Sequence, residues 1–456
     1  MQRTKALALG LALAALSACS SGDDGTGAED GTTDVPPGED GAPDLPPADD
    51  AGIDTPGPED IDESDGTALE DGAPELPPAD DGGADETTPP PCSTTLADRL
   101  HRTTVDVSPY PVETYGGGWW SADRPVILAT QPDGSSRVAW TDGTGAVHVT
   151  PLGPDDARRG PDWSGPGTEL RGFVAMDDGA AVLVRRDDEM VAVRFGDADG
   201  VRFTVITVGA ESHDVDGSRW IDDWSHDGRL AWSGTQLAIY HGQTGNWGAS
   251  GNHQGDRLEY LDAAGARTGS GWDWGCSHSL DVRLAWNGTA FGPVCLSDCY
   301  PGKGIYFAHN YLVRDEPSGN CAGTSDASLG GLVPVAGGFW LSFITREGRS
   351  SADVGLVHIS NDGTPGTPFF LTDTAGGDES AAHLAAYGAN LLAAWQDGSS
   401  ATFAVVSTAG AFVEGPVALS ASFAARDDFA NWPGGDVGWA VGAGSALHVF
   451  RLARCE

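Results

Sequence analysis

One strand-and-turn phrase occurs twice in the chain. Residues 229–235 read RLAWSGT, and residues 283–289 read RLAWNGT. Each copy joins a short apolar run that ends in tryptophan to a glycine-containing turn sequence, which is the pattern of a β-strand leading into a hairpin. Because a unit that returns after about 50 residues is the signature of a repeat architecture, this phrase favours folds built from copies of one β unit.

The rest of the chain after residue 91 has the same character. Short apolar runs such as 126–129, 181–184, 341–344 and 404–406 are separated by Asp-Gly, Asn-Gly and Gly-Gly pairs. Such pairs favour the positive φ of hairpin turns. No long stretch shows the 3.6-residue apolar period of an amphipathic helix. The sequence therefore predicts an all-β domain over residues 92–456.

Alignment of the strand that carries tryptophan gives seven units, spaced roughly 43 to 55 residues apart. The aligned positions are Trp140, Leu183, Trp232, Trp286, Trp340, Trp395 and Trp439. Each unit has room for four strands, which predicts a seven-bladed β-propeller of four-stranded blades. The pattern resembles extracytoplasmic β-propellers broadly, without a named blade signature. Two β-sandwich-like domains or another β fold are the alternatives. The aligned tryptophans are expected to fill the core rather than to contact a ligand.

The N-terminus has the features of a targeting segment. Arg3 and Lys5 precede an apolar run over residues 6–16, which is too short to span a bilayer as a mature helix. The run ends in Leu16-Ser17-Ala18-Cys19, which resembles the lipobox of bacterial lipoproteins. This resemblance implies that residues 1–18 are a signal peptide, that Cys19 is lipidated and that acyl chains anchor the protein in a membrane. Ser20 resembles the outer-membrane sorting pattern of Gram-negative bacteria. An ordinary secretory signal near a free cysteine is the alternative.

Residues 19–91 have a composition that cannot form a core. From residue 20 to 91 there is no Lys, Arg or aromatic residue, and Asp, Glu, Gly and Pro dominate. Low hydrophobicity with high net charge predicts a disordered acidic tether, which Pro-Pro pairs stiffen locally. Residues 39–50 return almost unchanged as 70–81, which we interpret as duplication of a linker. Cation or partner binding by these carboxylates is the alternative.

The charge of the remaining domain argues against nucleic acid as a partner. The tether holds 23 of the 67 acidic residues, so 44 acidic and 23 basic residues lie from residue 92 onward. This part of the chain therefore carries about −21, whereas phosphate contacts need clustered Lys and Arg.

The cysteines predict disulfides in an oxidising compartment. With Cys19 lipidated, an even number remains: Cys92, Cys276, Cys295, Cys299, Cys321 and Cys455. Cys92 begins the domain and Cys455 nearly ends it, so we pair them on the expectation that the first and last strands of a ring meet. The other four are expected to staple loops within residues 241–321, in pairings that the sequence leaves open. Zinc held by Cys295, Cys299 and two further ligands is the alternative.

No clean catalytic motif is present. Residues 275–279 miss the last glycine of a nucleophile elbow and lie in a β context. Asp197-Ala198-Asp199-Gly200 resembles the start of a calcium loop, but the remaining ligands do not follow. Adjacent acids such as Asp427-Asp428 are expected in solvated turns. The sequence therefore predicts no catalytic residue, no metal site and no cofactor, with calcium left as an alternative.

An insert between the two copies of the repeat phrase concentrates unusual residues. It combines aromatic rings, which stack on sugars or cradle peptides, with polar groups that orient a ligand. Long loops on a rigid scaffold commonly carry function. The candidate ligand-binding residues are His241, Trp247, His253, Asp256, Trp272, Trp274 and His278. One alternative is a metal or catalytic site at His253, Asp256 and His278, and another is an insert that packs only on itself.

These features predict a monomeric, membrane-anchored propeller in the bacterial cell envelope that binds a glycan or a protein. One alternative is a hydrolase or lyase whose site is assembled from several blades, and another is a structural envelope protein. Converging carboxylates or histidine in the central channel favour an enzyme, whereas apolar plugging with an aromatic rim favours binding.

Overall fold

A computed structural model describes the chain in the following segments: residues 94–114, 124–165, 167–186, 189–196, 205–207, 219–221, 227–246, 251–269, 271–276, 281–298, 301–317 and 327–455. The chain divides into two compact units, residues 1–84 and 85–456, and every described residue belongs to the second. The predicted signal peptide, Cys19 and the tether lie outside the described residues. Within the described segments, no helix is long and apolar enough to cross a membrane.

The first three four-stranded sheets follow one another along the chain. Blade 1 contains β2 (Val126–Thr130), β3 (Ser136–Thr141), β4 (Val147–Leu152) and β5 (Trp163–Gly165). Blade 2 contains β6 (Thr168–Met176), β7 (Gly179–Arg186), β8 (Glu189–Gly196) and β9 (Val205–Thr207). Blade 3 contains β10 (Arg219–Trp220), β11 (Gly228–Trp232), β12 (Gln236–Asn246) and β13 (Asn252–Asp262). In blade 3, β10 and β11 pair with opposite ends of the long β12, and β11 takes the place that the first strand has in the other blades, so we count it as the first strand of this blade.

The next three sheets repeat the same antiparallel order. Blade 4 contains β14 (Asp281–Trp286), β15 (Phe291–Ser297), β16 (Gly304–Phe307) and β17 (Tyr311–Asp315). Blade 5 contains β18 (Ser328–Val335), β19 (Gly338–Thr345), β20 (Asp353–Ser360) and β21 (Phe369–Phe370). Blade 6 contains β22 (Glu379–Tyr387), β23 (Asn390–Asp397), β24 (Ser400–Val406) and β25 (Phe412–Leu419).

Blade 7 closes the ring with strands from both ends of the domain. It contains β26 (Ala430–Asn431), β27 (Val437–Ala443), β28 (Ala446–Leu452) and, as its outer strand, β1 (Leu100–Asp106). The β1–β28 ladder runs from the Leu100–Leu452 pair to the Asp106–Ala446 pair. A short helix α1 (Leu96–Arg99) precedes β1 and begins with a capping box between Thr95 and Asp98. The predicted seven-bladed β-propeller of four-stranded blades is thus confirmed, and so is the meeting of its first and last strands.

Two turns explain why the repeat phrase keeps its glycine. Gly234 and Gly288 have φ values of +95° and +93°, a region that favours glycine. In the first copy, the Ser233 amide donates to the carbonyl of Gln236 at 3.0 Å, and in the second the Asn287 amide donates to that of Ala290 at 3.1 Å. The phrase therefore forms the first strand of blades 3 and 4 with the hairpin turn that follows it.

The core lies between blades rather than within them. The buried apolar side chains form seven clusters, and each cluster joins two neighbouring blades. Trp439, for example, is buried between blades 6 and 7, where its ring stacks on Phe450 at 5.3 Å and on Phe429 at 4.4 Å between centroids. Stacked aromatic rings of this kind add to the free energy gained from burying their area.

The predicted tryptophan alignment is wrong at two positions. Trp232 and Trp286 end the first strands of their blades, whereas the other five aligned residues lie on second strands. Trp140, Trp395 and Trp439 are buried as expected, but Trp232 and Trp286 are only half-buried, and so is Trp340 on a second strand. Both kinds of strand join an apolar run to a turn, so the local sequence does not distinguish them.

Candidate functional sites in the channel and the insert

The first strands of all seven blades line a single cavity in the middle of the ring. Residues of β2, β6, β11, β14, β18, β22 and β26 surround a volume of about 270 Å³, which we call the channel cavity. Most of its lining residues are apolar, although polar atoms make up about half of the lining surface. Its charged lining comes from Arg283, on the first strand of blade 4, and Asp428, just before the first strand of blade 7. A cavity that converges on a few polar groups is the usual form of a ligand site.

Three arginines from different blades converge on Asp428. Its Oδ2 lies 2.6 Å from Nη1 of Arg124 and 2.8 Å from Nε of Arg229. Its Oδ1 lies 3.7 Å from Nε of Arg283. The three guanidinium groups are almost fully buried, whereas 36% of the Asp428 side chain is exposed. Asp428 thus presents a carboxylate to the cavity from within an arginine cluster.

Asp227 connects the arginines of this cluster through ion pairs and hydrogen bonds. Its carboxylate is fully buried, pairs with Arg229 and lies 3.3 Å from Nη1 of Arg283. It also accepts the amide hydrogens of Gly228 at 2.9 Å and Val282 at 3.2 Å. Since Asp227 contacts first strands of both blade 3 and blade 4, it fixes the position of one blade against the next.

A short acid-x-Arg pattern builds this side of the channel. Three first strands carry it: Glu169 with Arg171 in blade 2, Asp227 with Arg229 in blade 3 and Asp281 with Arg283 in blade 4. In each case the arginine pairs with the acid two residues before it. In blade 4 both residues lie on β14, where residues two apart share a face. Asp227 and Glu169 have φ values of +50° and +51°, so in blades 2 and 3 the acid approaches its arginine from a non-extended backbone. The pattern adjoins the repeat phrase in the sequence but was not among the predicted site features.

Burial and charge separate the pKa values of the channel carboxyl groups. Burial raises the pKa of Asp427 to about 7, against the effect of the Ala424 amide that it accepts. Burial also raises the pKa of Asp281 to about 6, although Arg283 opposes it. For Asp227 and Asp428 burial acts in the same direction, but the nearby guanidinium groups, Arg229 first, outweigh it and hold both pKa values below the usual range.

One sequence expectation about this region is wrong. Asp427 is almost fully buried, and Asp428 faces the channel cavity, so this pair does not lie in a solvated turn. His383, which the sequence did not single out, is buried beside them, and its ring stacks on Phe429 at 4.7 Å. Burial lowers the pKa of His383 to about 3, so this imidazole is neutral at physiological pH.

The insert is a long hairpin in which two predicted site residues are internal. β12 and β13 each run for 11 residues. His241 is fully buried, with Nδ1 2.8 Å from the carbonyl oxygen of Gly242. Asp256 is also fully buried and accepts the Tyr240 hydroxyl at 2.7 Å and the Trp272 indole N–H at 2.8 Å. The structure therefore places both residues inside the insert.

Of the other five predicted site residues, the structure describes three. Trp272 is half-buried and lies edge-on to His309, with 4.4 Å between ring centroids. Trp274 covers Gly255 so closely that a Cβ there would collide with the indole. His253 is half-buried on β13. Trp247 and His278 lie outside the described residues. Ligand binding by this set stays a prediction.

The outer edge of the insert forms a second cavity, which we call the insert cleft. It is lined by residues 257–260, 267–269 and 271–273 and has a volume of about 200 Å³. Two isolated bridges, Leu258–Trp272 and Leu261–Arg267, hold the outer segment against β13. Half-buried Tyr260 and Trp272 contribute aromatic surface. Among the lining residues, Trp272 was predicted from the sequence as a ligand contact, whereas Tyr260 was not predicted.

Charged side chains pair across this cleft. Arg267 Nε lies 2.8 Å from Glu259 Oε2, and Arg257 Nη1 lies 3.2 Å from Asp273 Oδ1. Arg257 and Glu259 are almost fully buried, whereas about half of the Arg267 and Asp273 side chains is exposed. Arg257 and Glu259 are thus buried charges of the cleft wall, whereas Arg267 and Asp273 are accessible to a ligand. Arg257 and Glu259 lie two residues apart on β13 and therefore share a face of the strand. This spacing could be read from the sequence alone.

One predicted local disulfide is confirmed. Cys276 and Cys295 are bonded, and this bond joins the insert to blade 4. Cys455 is also in a disulfide. Its proposed partner Cys92, together with Cys299 and Cys321, lies outside the described residues, so that pairing stays a prediction. The zinc alternative that used Cys295 is wrong, because its thiol is oxidised. For the same reason the neighbouring group of Asp256, Cys276 and Cys295 does not supply thiolate ligands.

Comparison with known proteins returns similarity of fold. No family model matches the chain, and no curated protein matches it. The WD40 domain of Toxoplasma gondii coronin has 12% identity and a TM-score of 0.46, with 80% of this chain and 89% of that one covered. A chain of the mitotic checkpoint complex has 11% identity and a TM-score of 0.44, with 85% and 98% covered. At this similarity neither structure informs the function.

Proposed function

We propose that this protein is a lipid-anchored binding protein of the bacterial cell envelope whose propeller takes a glycan at the insert cleft. The acyl anchor at Cys19 and the tether over residues 19–91 hold the domain away from the membrane. The observation that carries the proposal is the insert cleft itself, where two aromatic side chains and paired charges surround about 200 Å³. Aromatic faces stack on the C–H faces of sugars, and charged groups hydrogen-bond their hydroxyls.

Two interactions within the insert hold the cleft in a fixed conformation. Trp272 forms part of its wall, and the buried carboxylate of Asp256 holds that indole through a hydrogen bond of 2.8 Å. The Cys276–Cys295 disulfide fixes the adjacent backbone to blade 4. A wall that is ordered before binding loses less conformational entropy when a ligand binds. Asp256 therefore acts as a positioning residue rather than as a ligand contact.

The proposal is tested with a glycan array, followed by titration calorimetry on the glycans that bind. Arg267→Ala removes an accessible charged hydrogen-bond donor from the cleft and should weaken binding about tenfold or more. Arg346→Ala is the matched control, because Arg346, just after β19, is similarly exposed and pairs with Asp378, just before β22. Absence of any glycan ligand, or equal affinities of the two variants, would contradict the proposal.

A second candidate function is hydrolysis or elimination in the channel. Four carboxyl groups with separated pKa values meet a buried histidine there, as general acid–base catalysis requires. A general acid or base must, however, reach the reacting atom. Of the four carboxyl groups, Asp428 alone lines the channel cavity. The geometry therefore supports binding in the channel better than catalysis.

A further inference from the structure

We propose that the channel cavity is a second binding site, for a small uncharged ligand that has a mainly apolar body and one hydroxyl or amide donor. Asp428 accepts that donor. The site shares no residue with the insert cleft, so it does not depend on the function proposed above.

The apolar body is indicated by the lining of the channel cavity. Val174, Leu332 and Phe429 line it from three different blades, and each is only half-buried. The closed ring of seven blades holds these side chains apart, so the channel does not collapse to bury them. Apolar surface that faces water is unfavourable, and a ligand that displaces this water gains free energy by covering it.

The donor group is indicated by the free side of the Asp428 carboxylate. Oδ2 is occupied by Arg124 and Arg229 at 2.6 and 2.8 Å. No described residue donates a hydrogen bond to Oδ1: Nε of Arg283 lies 3.7 Å away, and that N–H donates to the Gly330 carbonyl at 2.6 Å instead. A carboxylate has about four lone-pair sites. Within the described residues Oδ1 is therefore an unsatisfied acceptor, on a side chain that is 36% exposed.

The lack of ligand charge is indicated by the opposite charges around the cavity. Asp428 and Arg283 both line it, and Arg124 and Arg229 lie directly behind Asp428. An anionic ligand would meet the Asp428 carboxylate first. A cationic ligand would meet three guanidinium groups directly behind that carboxylate. A neutral donor avoids both repulsions.

The size of the ligand follows from the volume. At about 30 Å³ for each water molecule, 270 Å³ corresponds to roughly nine waters, which suits a ligand the size of a substituted benzene.

The test uses four probes with one common body: benzyl alcohol, toluene, benzylammonium and benzoate. Binding to the purified protein is measured at up to millimolar probe concentration by ligand-observed NMR. Benzyl alcohol should bind at least tenfold more tightly than toluene and both ions, because it alone combines neutrality with a donor for Asp428. Preferential binding of benzoate would overturn the proposal, since the arginines would then be the receptor. Absence of binding by all four would overturn it too.

Two variants locate the binding. Leu332→Trp adds bulk to the wall of the channel cavity and leaves every charged residue in place, so it should lower the affinity for benzyl alcohol tenfold or more. Leu312→Trp is its control, because Leu312 lies exposed on β17, an outer strand. Asp428→Asn should reduce the preference for benzyl alcohol over toluene, and Leu332→Trp keeps the test decisive if Asp428→Asn does not fold. Unchanged binding by Leu332→Trp would place the probe elsewhere and refute the site.

Discussion

Asp427 and Asp428 are neighbours in sequence, but their environments give the same substitution opposite consequences. Asp427 is buried, with its pKa raised to about 7, so its carboxyl is protonated in the folded protein at mildly acidic pH. Asp428 is held ionised by Arg124, Arg229 and Arg283. Replacement by asparagine imitates the protonated form of either residue. It should therefore be tolerated at Asp427 and harmful at Asp428.

The size and sign of the effect at Asp427 follow from linkage. A carboxyl whose pKa is raised on folding contributes stability that is fully present below its unfolded value of 3.8 and is lost as the pH rises through about 7. Between pH 5 and pH 7 this is roughly two units at about 1.4 kcal/mol each, or about 3 kcal/mol lost from the wild type. Asp427→Asn removes this loss, so its stability relative to wild type should be about 3 kcal/mol more favourable at pH 8 than at pH 5.

Asp428→Asn provides the control. Because the pKa of Asp428 is lowered, this carboxylate is ionised in the folded protein at both pH values. Its neutralisation removes the carboxylate that the buried guanidinium groups of Arg124, Arg229 and Arg283 share, which costs about 1 to 3 kcal/mol at either pH. Both variants are compared with wild type by urea denaturation followed by tryptophan fluorescence, at equal ionic strength. An Asp427→Asn effect of equal size at pH 5 and pH 8 would refute the argument from burial.

Three further predictions concern the anchor, the closure of the ring and the core. Cys19→Ala should release the protein from the membrane fraction or leave it unprocessed, and membrane retention with normal processing would exclude lipidation. Serine at both Cys92 and Cys455 should lower the unfolding free energy by about 2 to 5 kcal/mol, and peptide mapping that joins either cysteine elsewhere would contradict the pairing. Trp439→Ala should cost about 3 to 5 kcal/mol because its ring is buried, whereas half-buried Trp232 should cost clearly less in the same denaturation assay.

The fold was predictable because its signals are local and repeated. Short apolar runs, Asp-Gly and Asn-Gly turns and a regular spacing recur along the chain, and each reports directly on one strand or one hairpin. Their repetition gave the blade count even though the tryptophans of blades 3 and 4 were assigned to the wrong strand. That error leaves the count unchanged, because Trp232 and Trp286 still mark one blade each.

The channel was not predictable in the same way, because its residues come together only through closure of the ring. Arg124 and Asp428 are 304 residues apart in sequence and 2.6 Å apart in space. No spacing rule connects them. The local part of the site was visible, since the acid-x-Arg pairs at Asp227 and Asp281 adjoin the repeat phrase. Burial could not be predicted from the sequence either. Asp256 has the same side chain whether it is exposed or buried, and only the fold encloses it beneath Trp272.

The charged cluster and the channel cavity are consequences of one arrangement. The Arg124 guanidinium donates to the carbonyls of Arg171 in blade 2 and Gly228 in blade 3, and it pairs with Asp428 beside blade 7. The Arg124 side chain, just before blade 1, thus contacts blades 2 and 3 and the segment just before the first strand of blade 7. Buried ion pairs add little net stability, but they penalise any arrangement that separates the partners. The cluster therefore restricts how the blades meet around the channel, and the same contacts hold the Asp428 carboxylate beside the cavity.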